Sequence, residues 1–225
     1  MCGRYDLYET PRDVAAWFRA ADSVPDFPPR YNIAPSQDAP VLRLDPDGDR
    51  ELAMLRWGLV PFWAEDVKIG YRTINARAET VHRKPAFRSA FRRRRCLVPA
   101  TGYYEWQTTH AGKQPWRFVS AEGPLFAFAG LWERWEKTDE AVESFTIIVT
   151  DANDRARPIH DRMPVILEPA DHDIWLGSDD VDTLRSLLRP LPADRMTCYP
   201  VSTRVGDPRN DDAGLIEPVN AKGQS

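Results

Sequence analysis

Apolar and polar residues alternate in short bursts along most of this chain, and a helical period is confined to a few places. Alternation rich in β-branched and aromatic residues, bounded by Gly, Pro, Asp or Asn, predicts strands over 39–44, 51–57, 96–98, 102–107, 116–119, 125–131, 145–150 and 164–167, with a last one near 197–201. A helix is expected over 11–21, where Thr10 supplies an N-cap, Pro11 suits the first helical position, and Val14, Trp17 and Phe18 share one face. Two later helices are expected over 170–176 and 180–188. Phe87 and Phe91, four apart, would turn their rings to the core from a short helix between them. Many short strands, few helices and 20 prolines predict an α+β fold: a curved, mostly antiparallel, barrel-like sheet with a few peripheral helices. No linker or internal repeat interrupts the pattern, so one domain is expected over 1–219 with a short tail at 220–225.

Composition narrows the class. With 225 residues, 42% of them apolar, the chain has material for a real core and is not a disordered tail. Its longest apolar run, 125–132, is far short of the roughly 20 residues that a membrane-spanning helix needs. The start, Met-Cys-Gly-Arg-Tyr-Asp, has no apolar stretch behind its early arginine, so neither a signal nor a transit peptide is expected, and the expected location is cytoplasmic. The formal charge of −4 hides an asymmetry. Arg83, Lys84, Arg88 and the run Arg92, Arg93, Arg94, Arg95 have no acid among them, whereas 168–182 holds six acids and no Lys or Arg. Two electrostatic faces are expected, and the basic one suits either a phosphate backbone or a plain solvated surface. Three cysteines, Cys2, Cys96 and Cys198, form no C-x-x-C pair, and no two histidines have ligand spacing, so neither a disulfide framework, a metal site nor a cofactor is expected.

Any interesting cysteine must therefore act alone, and Cys2 is the one with distinctive chemistry. Removal of Met1 would leave a 1,2-aminothiol at the chain start. Its α-amine, with a reference pKa of about 7.7 to 8.0, is partly neutral at pH 7 and can attack an aldehyde. The adjacent thiol then closes a five-membered thiazolidine that outlasts a simple imine. Three further polar residues stand in apolar or aromatic settings: Asn75 in Thr-Ile-Asn-Ala-Arg-Ala-Glu, Glu105 in Gly-Tyr-Tyr-Glu-Trp and His160 in Ile-His-Asp-Arg-Met-Pro. Burial there can bring a carboxyl or imidazole pKa toward working pH, and each also fits a hydrogen-bonded core group. The other histidines, His82, His110 and His172, have neighbours of solvent type.

Six motifs in order carry a family resemblance: Met-Cys-Gly-Arg at 1–4, Tyr-Asn-Ile-Ala-Pro at 31–35, Arg-Trp-Gly-Leu-Val-Pro-Phe-Trp at 56–63, Ile-Asn-Ala-Arg-Ala-Glu-Thr at 74–80, Cys-Leu-Val-Pro-Ala-Thr-Gly-Tyr-Tyr-Glu-Trp at 96–106 and Ile-His-Asp-Arg-Met-Pro at 159–164. With them the sequence resembles the SOS-response-associated peptidase (SRAP) family, a DNA-damage family. The resemblance implies shielding of abasic sites in single-stranded DNA by a covalent thiazolidine crosslink through the N-terminal cysteine, and an autoproteolytic activity that exposes it. It makes Cys2 the nucleophile and Asn75 the group that holds the adduct. Glu105 and His160 become the pair that moves protons as the deoxyribose ring opens and the carbinolamine dehydrates. Arg4, Arg77 and Arg162 lie beside these residues and would clamp phosphates. Phe62 and Trp63 would stack on bases, or else fill core in a Pro-rich loop. The expected partner is single-stranded DNA containing abasic sites, with no membrane, and a monomer is expected. Two alternatives stay open: an N-terminal-cysteine amidohydrolase of glutamine amidotransferase type, and a non-covalent single-strand binder.

Overall fold

The computed structural model describes residues 2–21 and 24–220. In chain order the elements are β1 (Tyr5–Leu7), α1 (Pro11–Phe18), β2 (Arg30–Ile33), β3 (Asp38–Leu44), β4 (Arg50–Trp57), β5 (Asn75–Arg77), α2 (Arg88–Arg93), β6 (Arg95–Ala100), β7 (Gly102–Thr109), β8 (Gly112–Ser120), β9 (Phe126–Trp135), β10 (Val142–Asp151), β11 (Arg162–Pro164), α3 (His172–Gly177), α4 (Val181–Ser186) and β12 (Met196–Pro200). One sheet runs β12-β8-β7-β1-β2. The other runs β11-β10-β4-β3-β6-β9, and β9 pairs back onto β10, so β10, β4, β3, β6 and β9 close a ring. Closure removes sheet edges, which is the barrel-like architecture that the alternation predicted. Pairing is antiparallel except where β10 meets β4 and β5. No helix among the described residues is long and apolar enough to cross a membrane.

β6 and β7 are nearly one strand that leaves the barrel for the second sheet at Thr101, whose N–H donates to the Asp6 carbonyl at 2.8 Å. The core fills the space between the sheets with large rings. Tyr103 stacks on Phe118 at 4.7 Å, both Tyr5 and Tyr103 meet Phe128 edge-on, and Trp57 lies parallel to Phe145 at 6.2 Å. One buried ion pair ties the chain start into this core. Arg117 of β8 donates from Nε and Nη2 to the two Asp6 carboxylate oxygens at 2.9 and 2.8 Å, and from Nη1 to the Tyr199 hydroxyl at 2.6 Å. The fork matches the carboxylate, so the charges are compensated where water does not reach.

Several expectations are corrected. The first helix stops at Phe18 because Arg19 turns left-handed (φ 54°), and its buried stripe is Val14, Ala15 and Phe18. Trp17 is instead 43% exposed and lies over Gly123. The late helices are shorter than expected: α3 follows a 3₁₀ turn at Pro169–Asp171, and α4 is capped by Asp180, which accepts from the Thr183 N–H. His172 is buried and stacked on Phe18 rather than solvated. Phe87 and Phe91 do face inward, but the arginines after them do not all fan outward. Arg95 is buried and donates to the carbonyls of Phe91, Trp175, Leu176 and Ser178, and Arg94 pairs with Glu133 at 2.7 Å.

Candidate functional site

The chain start is laid along β7. Tyr5 faces Tyr103 across the antiparallel pair, and the Tyr104 N–H donates to the Arg4 carbonyl at 3.0 Å. Continuing the same register places residue 3 opposite Glu105. Cys2 is fully buried at the end of this segment. Burial pushes its thiol pKa well up, and the nearby Glu105 carboxylate pushes the same way. The charges of Cys2 and Glu105 therefore feel each other directly.

Glu105 is 3% exposed, and burial raises its carboxyl pKa to about 8. Asp161, next to His160, adds to the rise and so ties the turn before β11 to the same place. Near pH 7 this carboxyl is mostly protonated and able to donate. His160 is half-buried, and its Nδ1 accepts the Arg162 N–H at 3.0 Å. The neutral ring consequently carries its proton on Nε2. Burial holds the imidazole below the ordinary histidine range, so it is neutral at pH 7. One group is thus an acid and the other neutral in the same pH window, as paired proton transfer requires.

Asn75 opens β5, and its Nδ2 donates to the carbonyls of Ile74 at 3.0 Å and Ile147 at 3.4 Å. The Trp57 indole donates to the same Ile74 carbonyl at 2.9 Å, and the Tyr5 ring sits 5.2 Å from Trp57. Asn75 is thereby joined to the Cys2 segment through two buried rings. Its Oδ1 and the hydroxyls of Tyr5 and Tyr103 are buried with no hydrogen-bond partner among the described residues. Sequence reading did not single out the two tyrosines, because a tyrosine in an apolar strand gives no sign of whether its hydroxyl is satisfied.

The expected phosphate contacts divide. Arg77 is exposed at the end of β5. Arg162 is already paired with Glu79 and, at 3.4 Å, with Asp151, and Arg4 donates to the Gly206 carbonyl at 3.0 Å. Phe62 and Trp63 are 53% and 43% exposed, which rules out the core-filling reading. Tyr71, at 63%, is an exposed ring that the sequence pattern did not flag.

The family model described as SOS response associated peptidase (SRAP) matches residues 1–208, a span holding Cys2, Asn75, Glu105 and His160. The chain belongs to the SRAP family. Abasic site processing protein YoqW of Bacillus subtilis (strain 168) is 43% identical over 96% of this SRAP chain and 99% of its own length. Abasic site processing protein HMCES of Xenopus tropicalis is 33% identical over 94% of the chain and 76% of its own. The X-ray structure of a protein from Bacteroides thetaiotaomicron matches with a TM-score of 0.88 at 29% identity, covering 97% of this SRAP chain and 100% of that one.

Proposed function

We propose that this SRAP protein recognises abasic sites in single-stranded DNA and links itself to them through Cys2 as a thiazolidine, once Met1 is removed by its own peptidase activity. The observation that carries the reading is the register that lays the chain start along β7 and brings buried Cys2 next to Glu105, a buried carboxyl whose pKa of about 8 leaves it an acid at neutral pH. The names of the relatives and the exposed aromatic and basic residues favour it over the amidotransferase and non-covalent alternatives.

Glu105 donates to the ring oxygen as the hemiacetal opens, and His160 takes the proton released from the anomeric hydroxyl. The Cys2 amine adds to the aldehyde carbon, passing one N–H proton to the Glu105 carboxylate while His160 returns its proton to the former carbonyl oxygen. The hydroxyl of this carbinolamine leaves as water with the proton from Glu105, and the remaining iminium proton goes back to the carboxylate to leave an imine. The thiol then adds across the resulting C=N bond: sulfur bonds to carbon, and the thiol proton ends on nitrogen. The buried sulfur acts second because its thiolate is costly there, which makes the amine the first group to react. Asn75 holds the adduct with its unpartnered Oδ1.

Denaturing electrophoresis with abasic single-stranded DNA tests this. A denaturant-stable band is expected with abasic but not intact DNA, and Cys2→Ala should abolish it. A noncleavable N-terminal extension should abolish it too, since the ring needs a free α-amine. A stable adduct on the extended protein would rule out the thiazolidine.

A further inference from the structure

The segments 57–63 and 70–75 are bonded to one another next to Asn75, the Trp57 indole donating to the Ile74 carbonyl. Two glycines clasp them into one block: a Cβ on Gly58 would lie 2.6 Å from the Gly70 carbonyl oxygen, and one on Gly70 would lie 2.7 Å from that of Gly58. The Leu59 N–H donates to the Thr73 carbonyl at 3.3 Å, and the Thr73 hydroxyl returns a bond to the Leu59 carbonyl at 2.6 Å. Val60 donates to the Ser144 hydroxyl at 2.8 Å, and the Trp135 indole to the Ala64 carbonyl at 2.8 Å. Backbone held this way gives up little entropy when a ligand stacks on its side chains.

The block displays Phe62, Trp63 and Tyr71, each at least 43% exposed. The Trp63 indole donates to the Pro85 carbonyl at 3.4 Å, which hooks the block to the exposed cations Arg83, Lys84 and Arg88. Arg72 is exposed beside Tyr71. The two acids between the rings are already matched, Glu65 by Lys137 at 2.5 Å and Asp66 by Lys68 at 3.5 Å. Asn75 lies four residues beyond Tyr71, at most about 14 Å of extended chain.

We infer that Tyr71, with Arg72 beside it, is a stacking contact for the single strand flanking the lesion, extending the track past Phe62 and Trp63. The inference rests on the single-strand reading above. Every base offers a π-face, so the contact is sequence-tolerant, and the adjacent guanidinium meets the backbone phosphate.

The test is fluorescence anisotropy with labelled, intact oligothymidylates from about 4 to about 16 nucleotides, a range that covers typical single-strand site sizes. Tyr71→Ala should weaken binding at least about 5-fold on the longer oligomers, leave those too short to reach it unaffected, and be rescued by Tyr71→Trp. Arg72→Gln should lower the slope of log K against log salt by about 0.7. The single-turnover crosslinking rate at saturating abasic DNA should be unchanged in both, since neither residue touches the sugar. Tyr71→Ala binding every oligomer within twofold of the native protein would overturn the inference. A native protein that neither binds nor crosslinks would overturn the function itself, a separate result.

Discussion

At the scale of single residues, Glu105 should make the protein's stability and its proposed chemistry depend on pH together. Its folded pKa, raised by burial to about 8, lies above that of an exposed carboxyl. The folded state therefore binds the proton more tightly, and the resulting stability is complete below the unfolded pKa near 4.3 and is lost as pH rises through about 8. Inside that window Glu105 should remove about 1.4 kcal/mol of stability per pH unit. Urea denaturation from pH 5 to about 9 should show this slope in the native protein and a flatter one in Glu105→Gln. Crosslinking should lose rate on an alkaline limb near the same pKa, and Glu105→Gln should erase that limb while slowing the reaction about 100- to 10,000-fold. His160, held below the ordinary histidine range, should supply the acid limb, which His160→Ala would remove. Tyr103 offers a contrast, since its hydroxyl is fully buried and unpartnered among the described residues. Tyr103→Phe should raise stability by about 1 kcal/mol, read as a higher Tm. A lower Tm would show that the hydroxyl has found a partner, such as an internal water.

At the scale of elements, the glycine clasp shows how backbone sets the site. Gly58 has φ +124° as well as a carbonyl 2.6 Å from where a Cβ would go, so Gly58→Ala is penalised both by conformation and by contact. It should cost about 1–3 kcal/mol and weaken single-strand binding by displacing Phe62 and Trp63, which unfolding titrations and anisotropy would read. Unchanged values for both would mean that the block yields freely. The clasp is invisible in the sequence, as a close approach between Gly58 and Gly70 leaves no periodic trace. The longer strands were legible because six or more residues allow alternation to declare itself. β1, β2 and β5, of three or four residues, were not. Yet β1 and β5 lead directly to Cys2 and Asn75, so these candidate residues could be named from chemistry and motif while their placement in the fold could not. The end of α1 was missed for a related reason: a left-handed Arg19 gives no signal where a glycine would have.

At the scale of the whole molecule, the question is which charges meet the DNA. Composition alone sees seven cations between Arg83 and Arg95, but the fold sorts them into different roles. Arg95 is an internal strut between α2, β6 and α3, and Arg94 neutralises Glu133. Arg83, Lys84, Arg88, Arg92 and Arg93 remain exposed. The acidic segment 168–182 lies against the basic one, where Arg95 reaches the Ser178 carbonyl, instead of forming a separate face. Much of it is already paired, Asp171 with Arg189, Asp173 with Arg50 and Asp182 with Arg185, so its field is weaker than its count suggests. On a helix, Arg88 and Arg92 stand one turn apart, while Phe87 and Phe91 anchor the opposite side in the core. Both guanidinium groups can therefore meet one strand's backbone. Each phosphate contact on a single strand contributes about 0.7 to the slope of log K against log salt. Arg88→Gln with Arg92→Gln should lower that slope by about 1.4 without changing Tm appreciably, the exposed positions making no core contacts. Arg95→Met should do the reverse, lowering Tm by stranding three buried carbonyls and a partly buried fourth while leaving the slope of the folded protein intact. The paired titrations check the assignment directly: a slope unmoved by the double substitution would place the strand away from α2, on the side of Arg77 and Tyr71.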